Sequence, residues 1–135
     1  MYYIDENGSE TDIFFASEDW WIGDLISFSQ RSPSKLYIQA LEDSEVLVIN
    51  RENKERLFEK VPAFERLFRL MVQKAFESMM NRLLSTFSET AELRYLDFVK
   101  KYPSIPARVP QHLIASYLGI TPEFLSKIRA KLVRK

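Results

Sequence analysis

Residues 111–132 read QHLIASYLGITPEFLSKIRAKL, and the rest of the chain is interpreted outward from them. Pro110 stands where a helix begins, because proline's fixed φ suits a first helical turn. Gly119 ends that helix, and Thr121-Pro122-Glu123 opens a second, with Thr121 as N-cap and Pro122 at the first helical position. Two helices that cross closely need a small residue at the crossing, here Ala115, and a residue that accepts positive φ in the turn, here Gly119. They also need apolar side chains on the facing sides, and Ile114, Leu118, Ile120, Leu125 and Ile128 fill those positions. Meeting all of these requirements together makes a helix-turn-helix the expectation; an ordinary αα-hairpin of a helical core shares the spacing. Thr121, Glu123, Ser126 and Lys127 fall on the outward face of the second helix, with Lys131 and Arg134 beyond.

The chain of 135 residues carries 19 basic and 19 acidic groups, a balance that argues against a nucleic-acid partner. Position reverses that argument. Residues 1–60 have a net charge of −7, residues 61–99 are neutral, and residues 100–135 set eight basic groups against Glu123 alone. A basic tail of this kind meets an anion, and double-stranded DNA is the expected one. With the second helix in the major groove, Glu123 would accept from a cytosine amino group and Lys127 would donate to guanine. Lys131 and Arg134 would touch phosphates.

The absence of Cys excludes disulfides, thiolate-bound zinc and iron–sulfur clusters, and His112 is the single imidazole, too few for a histidine metal site. No apolar run approaches the ~20 residues of a membrane span. The opening MYYIDENGSE lacks the basic and apolar regions of a signal peptide. A soluble, cytoplasmic protein with no membrane partner is expected. The paired acids Asp5/Glu6, Glu18/Asp19 and Glu42/Asp43 sit in turn-like sequence where carboxylates are solvated, and Gly23 alone makes no phosphate loop. Neither catalysis nor a cofactor is expected.

An α+β architecture follows from the pattern along the chain. Tyr2–Ile4 and Thr11–Ala16 read as strands about Asn7-Gly8, a hairpin signal. Leu36–Leu41 and Glu45–Ile49 read as a second pair about Glu42-Asp43-Ser44, and the segment between the pairs reads as a loop with one helical turn. A short helix over 52–60 precedes a long one that starts at Pro62 and runs to about Phe87 without Gly or Pro. Phe64, Phe68, Met71, Ala75 and Met79 form one stripe on it, and Val72, Phe76, Leu83 and Phe87 an adjacent one. Apolar residues on two flanks suggest packing on the parent domain and on a second copy. Ser88 reads as the N-cap of the next helix, which Tyr102-Pro103 ends. The expected domains are residues 1–50, 51–87 and 88–135.

Strands, a loop bearing Gly23-Asp24-Leu25, a long helix and a helix-turn-helix, in that order over essentially the whole chain, resemble the Crp/Fnr family of bacterial transcription regulators. The likeness is to the branch whose recognition helix begins LGITPEFLS. It implies the second half of a cyclic-nucleotide-binding-like jelly roll (a partial β-roll), a dimerisation helix bearing Phe64, Phe68, Met71, Ala75 and Met79, and a DNA-binding domain. It also implies a homodimer on a near-palindromic site and adds RNA polymerase to the expected partners.

Three departures from the family pattern qualify these expectations. The strands that the family places before Tyr2 are missing, so the resemblance implies an N-terminally truncated sensor. In the ligand site, Gly23, Asp24 and Leu25 match the start of the pocket, where an acid holds a ribose hydroxyl, but the phosphate-clamping Arg-Ser falls on Ser34-Lys35. The family's two-stranded wing is absent after Leu132, which predicts fewer backbone contacts to DNA and a shallower salt dependence. The second expectation that stays open is an interaction module, one that pairs with full-length relatives without sensing a ligand. Loss of a charge-assisted clamp weakens anion binding at least ~10-fold, and lysine lacks arginine's planar fork. Isothermal titration with cyclic AMP and cyclic GMP is therefore expected to show no tight binding; micromolar affinity would contradict it.

Overall fold

Asp5 fixes the first turn of the chain. Its Oδ1 accepts the N–H groups of Asn7 at 2.9 Å and Ser9 at 2.8 Å, and Gly8 takes a φ of +81° between them. The turn joins β1 (Tyr2–Ile4) to β2 (Glu10–Asp12), antiparallel, with Tyr3 opposite Thr11. This computed structural model describes residues 1–133 and is mixed helix and strand. β3 (Leu36–Tyr37) lies on the other edge of β1, where Tyr37 stacks on Tyr2 with ring centroids 5.5 Å apart. The sheet order is β2-β1-β3.

The second expected strand pair does not form. Only Leu36–Tyr37 of the first run is extended, and it pairs with β1 rather than with residues 45–49. That later run has no regular structure, and Leu47 and Val48 are almost wholly exposed. A strand is held by cross-strand partners and one buried face, and residues 45–49 have neither. The observed sheet is thus a three-stranded antiparallel one.

Two compact units divide the chain: Met1–Asp43 with the residues from Thr90 onward, and Ser44–Glu89. In the first, α1 (Leu25–Gln30) is capped by Asp24 and closed by Arg31 in the left-handed conformation. α4 (Ala91–Lys101), α5 (Ile105–Arg108), α6 (Gln111–Leu118) and α7 (Pro122–Val133) follow. The N-cap of α4 is Thr90, whose Oγ1 accepts from Leu93 N–H; the expected cap, Ser88, instead ends the preceding helix and donates to Leu84 O. The core joins Tyr95, Phe98, Tyr102, Ile105, Ile114, Ala115, Leu118, Leu125 and Ile128 to Phe15 of the N-terminal segment. Phe15 packs against Phe98 and Tyr117 at 6.2 and 5.3 Å, and Trp20 against Tyr102 at 5.6 Å. Residues 1–43 and the C-terminal helices, expected in separate domains, share this aromatic core.

In the second unit, Asn50 caps α2 (Arg51–Lys60) by accepting from Asn53 N–H at 2.8 Å. Pro62 opens α3 (Pro62–Ser88), whose 27 residues span about 40 Å. Phe58 of α2 packs between Phe64 and Phe68 of α3, with centroids at 5.9 and 5.6 Å. The Lys54 ammonium lies over the rings of Phe58 and Phe68, an added cation–π attraction. No residue of α3 is buried.

Ile114 and Leu125 are the largest fully buried side chains. Leu125→Ala is expected to cost about 2–5 kcal/mol through the cavity it leaves. Gly119→Ala meets no steric obstacle around a new Cβ, so its cost is the left-handed backbone alone, about 1–2 kcal/mol. Urea denaturation of both variants checks the order; an equal or larger loss for Gly119→Ala would contradict it.

Candidate nucleic-acid interface

Ala115 has 0% and Ile114 1% exposure on α6, while Leu125 and Ile128 of α7 are at 0% and 5%. These side chains of both helices belong to one buried core. Gly119, at φ +67°, ends α6 by donating to the Ala115 and Ser116 carbonyls, and Ile120 N–H bonds Ala115 O at 3.0 Å. This left-handed cap satisfies carbonyls that a helix end would leave open. Arg94 of α4 donates to Leu118 O at 3.3 Å, adding a cation at the C-terminal end of the same helix.

Burying Leu125 and Ile128 turns the opposite face of α7 outward. Thr121, Glu123, Ser126, Lys127 and Lys131 are all exposed. Residues three and four apart on a helix share a face, so Glu123, Ser126 and Lys127 form one polar surface at its N-terminal end. Thr121 Oγ1 accepts from Phe124 N–H at 3.2 Å. The Glu123 carboxyl is held below its usual range by its own backbone N–H, by the Thr121 hydroxyl and by nearby Lys127. Lys131 is paired with Glu92 of α4, Nζ to Oε2 2.5 Å. Arg134 lies outside the described residues.

The residues matched to a ligand pocket are only partly brought together. Asp24 accepts from Ile26 N–H at 3.0 Å, from Ser27 N–H at 3.2 Å and from Ser34 Oγ at 2.8 Å. These bonds, the Ser34 hydroxyl foremost, hold its carboxyl below the ordinary value. The acid thus caps α1 and ties it to Ser34, a closed set of local bonds. Gly23, Leu25 and Lys35 are exposed. On α3, Phe64 and Phe68 face α2, Met71 is half-buried, and Ala75 and Met79 are exposed.

Two features escaped the sequence reading. Arg108, beside α6, pairs with both Glu18 and Glu42. Asp12 of β2, 6% exposed, donates its N–H to Ser116 Oγ of α6 at 2.8 Å. The partners lie 90, 66 and 104 residues apart, beyond any local pattern. Burial pushes the Asp12 carboxyl up, assisted by Glu10 and opposed by the Met1 amino group, the Ser116 hydroxyl and His112.

Comparison with protein-family models, curated proteins and solved structures finds no match to this chain. Among the described residues, no group of His, Cys, Asp and Glu could hold a metal ion, and no helix is long and apolar enough to cross a membrane.

A raised carboxyl pKa means that the folded state binds the Asp12 proton more tightly than the unfolded chain does. Its contribution is full at low pH and is lost as pH rises through the folded value. Asp12→Asn is accordingly expected to be at least as stable as the parent at pH 7, with the difference vanishing below about pH 4. Urea titrations at the two pH values test this; a variant less stable at pH 7 would contradict it.

Proposed function

We propose that the chain is a DNA-binding transcriptional regulator similar to the Crp/Fnr family, and that it is not an enzyme. On this reading α6 and α7 are its helix-turn-helix and α7 is the recognition helix. One observation carries the proposal: α6 and α7 are joined by the left-handed turn at Gly119 and bury Ala115, Leu125 and Ile128 in one core, while Glu123, Ser126 and Lys127 lie together on the open face of α7. In the major groove the N-terminal residues of such a helix meet base edges. Glu123, already charged, accepts from a cytosine amino group, and Lys127 donates to guanine N7 or O6. Thr121 and Ser126 flank them. Lys131 and Arg134 reach phosphates, Lys131 by exchanging Glu92 for one.

Pairing of two copies would run through α3. Phe64 and Phe68 are engaged by α2, so the open seam draws on the later turns of both stripes, with Phe76, Met79, Met80, Leu83 and Phe87 exposed at 62, 65, 40, 49 and 82%. Four-residue steps from Phe76 to Met80 and from Leu83 to Phe87 keep this seam on one side of the helix. Dimeric helix-turn-helix proteins read two half-sites about one DNA turn, ~34 Å, apart. The same seam favours a second reading, an interaction module that pairs with relatives without sensing a ligand.

Selection of duplexes from a random pool distinguishes the two. A near-palindromic site should emerge, and Lys127→Ala should lose about 10-fold or more of its preference at one base pair per half-site. Removing Arg134 and Lys135 should weaken all duplexes alike. Light scattering should give a dimer that Leu83→Asp dissociates. A dimer that selects no duplex leaves the interaction module; a monomer at tens of micromolar overturns both.

A further inference from the structure

We propose that Arg108 is a phosphate contact of the DNA complex, and that the free protein keeps it occupied with the carboxylates of Glu18 and Glu42, which thereby restrain DNA binding. The inference rests on the DNA-binding reading above and adds a residue and a regulation to it.

The ion-pair geometry is that of an anion site already filled. Arg108 grips Glu18 with both arms of its fork, Nη1 to Oε2 at 3.0 Å and Nη2 to Oε1 at 2.8 Å, and Nη2 also meets Glu42 Oε1. A two-armed grip on two oxygens is how a guanidinium holds a phosphate as well as a carboxylate. The two carboxylates offset the guanidinium charge, so Arg108 contributes little attraction to DNA while they stay.

Its place in the chain points the same way. Arg108 closes α5 and precedes Gln111, the first residue of α6, by three positions. At 3.8 Å per Cα step the two lie within about 11 Å. In a docked helix-turn-helix the first helix crosses the DNA backbone, which brings phosphates into reach of an arginine at its entrance. The competitors come from the acidic part of the chain, residues 1–60 with net charge −7, and from segments without regular structure. The side chains are 36% exposed for Arg108, 70% for Glu18 and 48% for Glu42. Exposed ion pairs are weak and exchange readily, so a polyanion can displace them.

A phosphate contact is independent of sequence, so the probe is a random-sequence duplex, with affinity measured by fluorescence anisotropy across a series of salt concentrations. Glu18→Gln/Glu42→Gln is expected to bind about threefold to tenfold more tightly, with a salt slope steeper by up to about 0.9. The control Glu6→Gln/Asp43→Asn removes the same charge from the same segment and should gain clearly less. Arg108→Gln should change little in the parent but should cancel the gain in the Glu18→Gln/Glu42→Gln background, a non-additivity that marks competition. Circular dichroism checks that these exposed substitutions leave the fold intact. If the double variant behaves like its control, or Arg108→Gln costs the same in both backgrounds, the inference is overturned while the DNA-binding reading stands. If no form of the protein binds duplex, both fall.

Discussion

The contact at Ala115 governs what the C-terminal helices can present. Ala115 of α6 has no exposed surface, and Leu125 and Ile128 of α7 are buried in the same core. Cores packed to crystal-like density respond to a single added methylene, so a larger residue at 115 would disturb the core that α6 and α7 share. The polar face of Glu123, Ser126 and Lys127 is therefore fixed by an apolar constraint on the opposite side of the same helix. Gly119 works in concert with it, since the left-handed turn sets the direction in which α7 departs.

A second constraint ties the ends of the chain together. Phe15 enters the aromatic cluster of Phe98, Tyr102 and Tyr117, and Asp12 bonds Ser116 on the helix that Ala115 positions. The small sheet is thereby anchored to the C-terminal helices. Its three short strands would be marginal alone, as isolated hairpins are; the ring contacts supply the burial that the sheet lacks. Glu18 and Glu42 follow from this placement, because the segment that carries Phe15 also carries them toward Arg108.

The parts legible in the sequence were those determined by neighbours along the chain. The helix from Pro62 was readable because no Gly or Pro interrupts it, and the turn about Gly8 because Asn-Gly tolerates positive φ. The positions of α6 and α7 were readable from Pro110, Gly119, Thr121 and Pro122. Residues 45–49 misled for the converse reason: Val46-Leu47-Val48 has strong strand propensity, yet propensity acts only where a partner strand lies alongside. Ser88 and Thr90 are equally good caps, and the choice between them depended on how far α3 could extend. Within the candidate site, the outward face of α7 was legible from helical spacing, whereas Arg108, Glu18, Glu42 and Asp12 acquired their partners only through long-range packing.

Residues 46–49 have a consequence for the protein in solution. Val-Leu-Val-Ile is uncharged, β-branched over most of its length and unpaired, the composition from which intermolecular cross-β contacts nucleate. Glu42, Asp43 and Glu45 stand immediately before it, and Arg51 and Glu52 soon after. Charges in such flanking positions act as gatekeepers, because stacking identical chains in register would stack like charges on one another. The acidic turn that failed to connect two strands within the molecule thus discourages strand pairing between molecules.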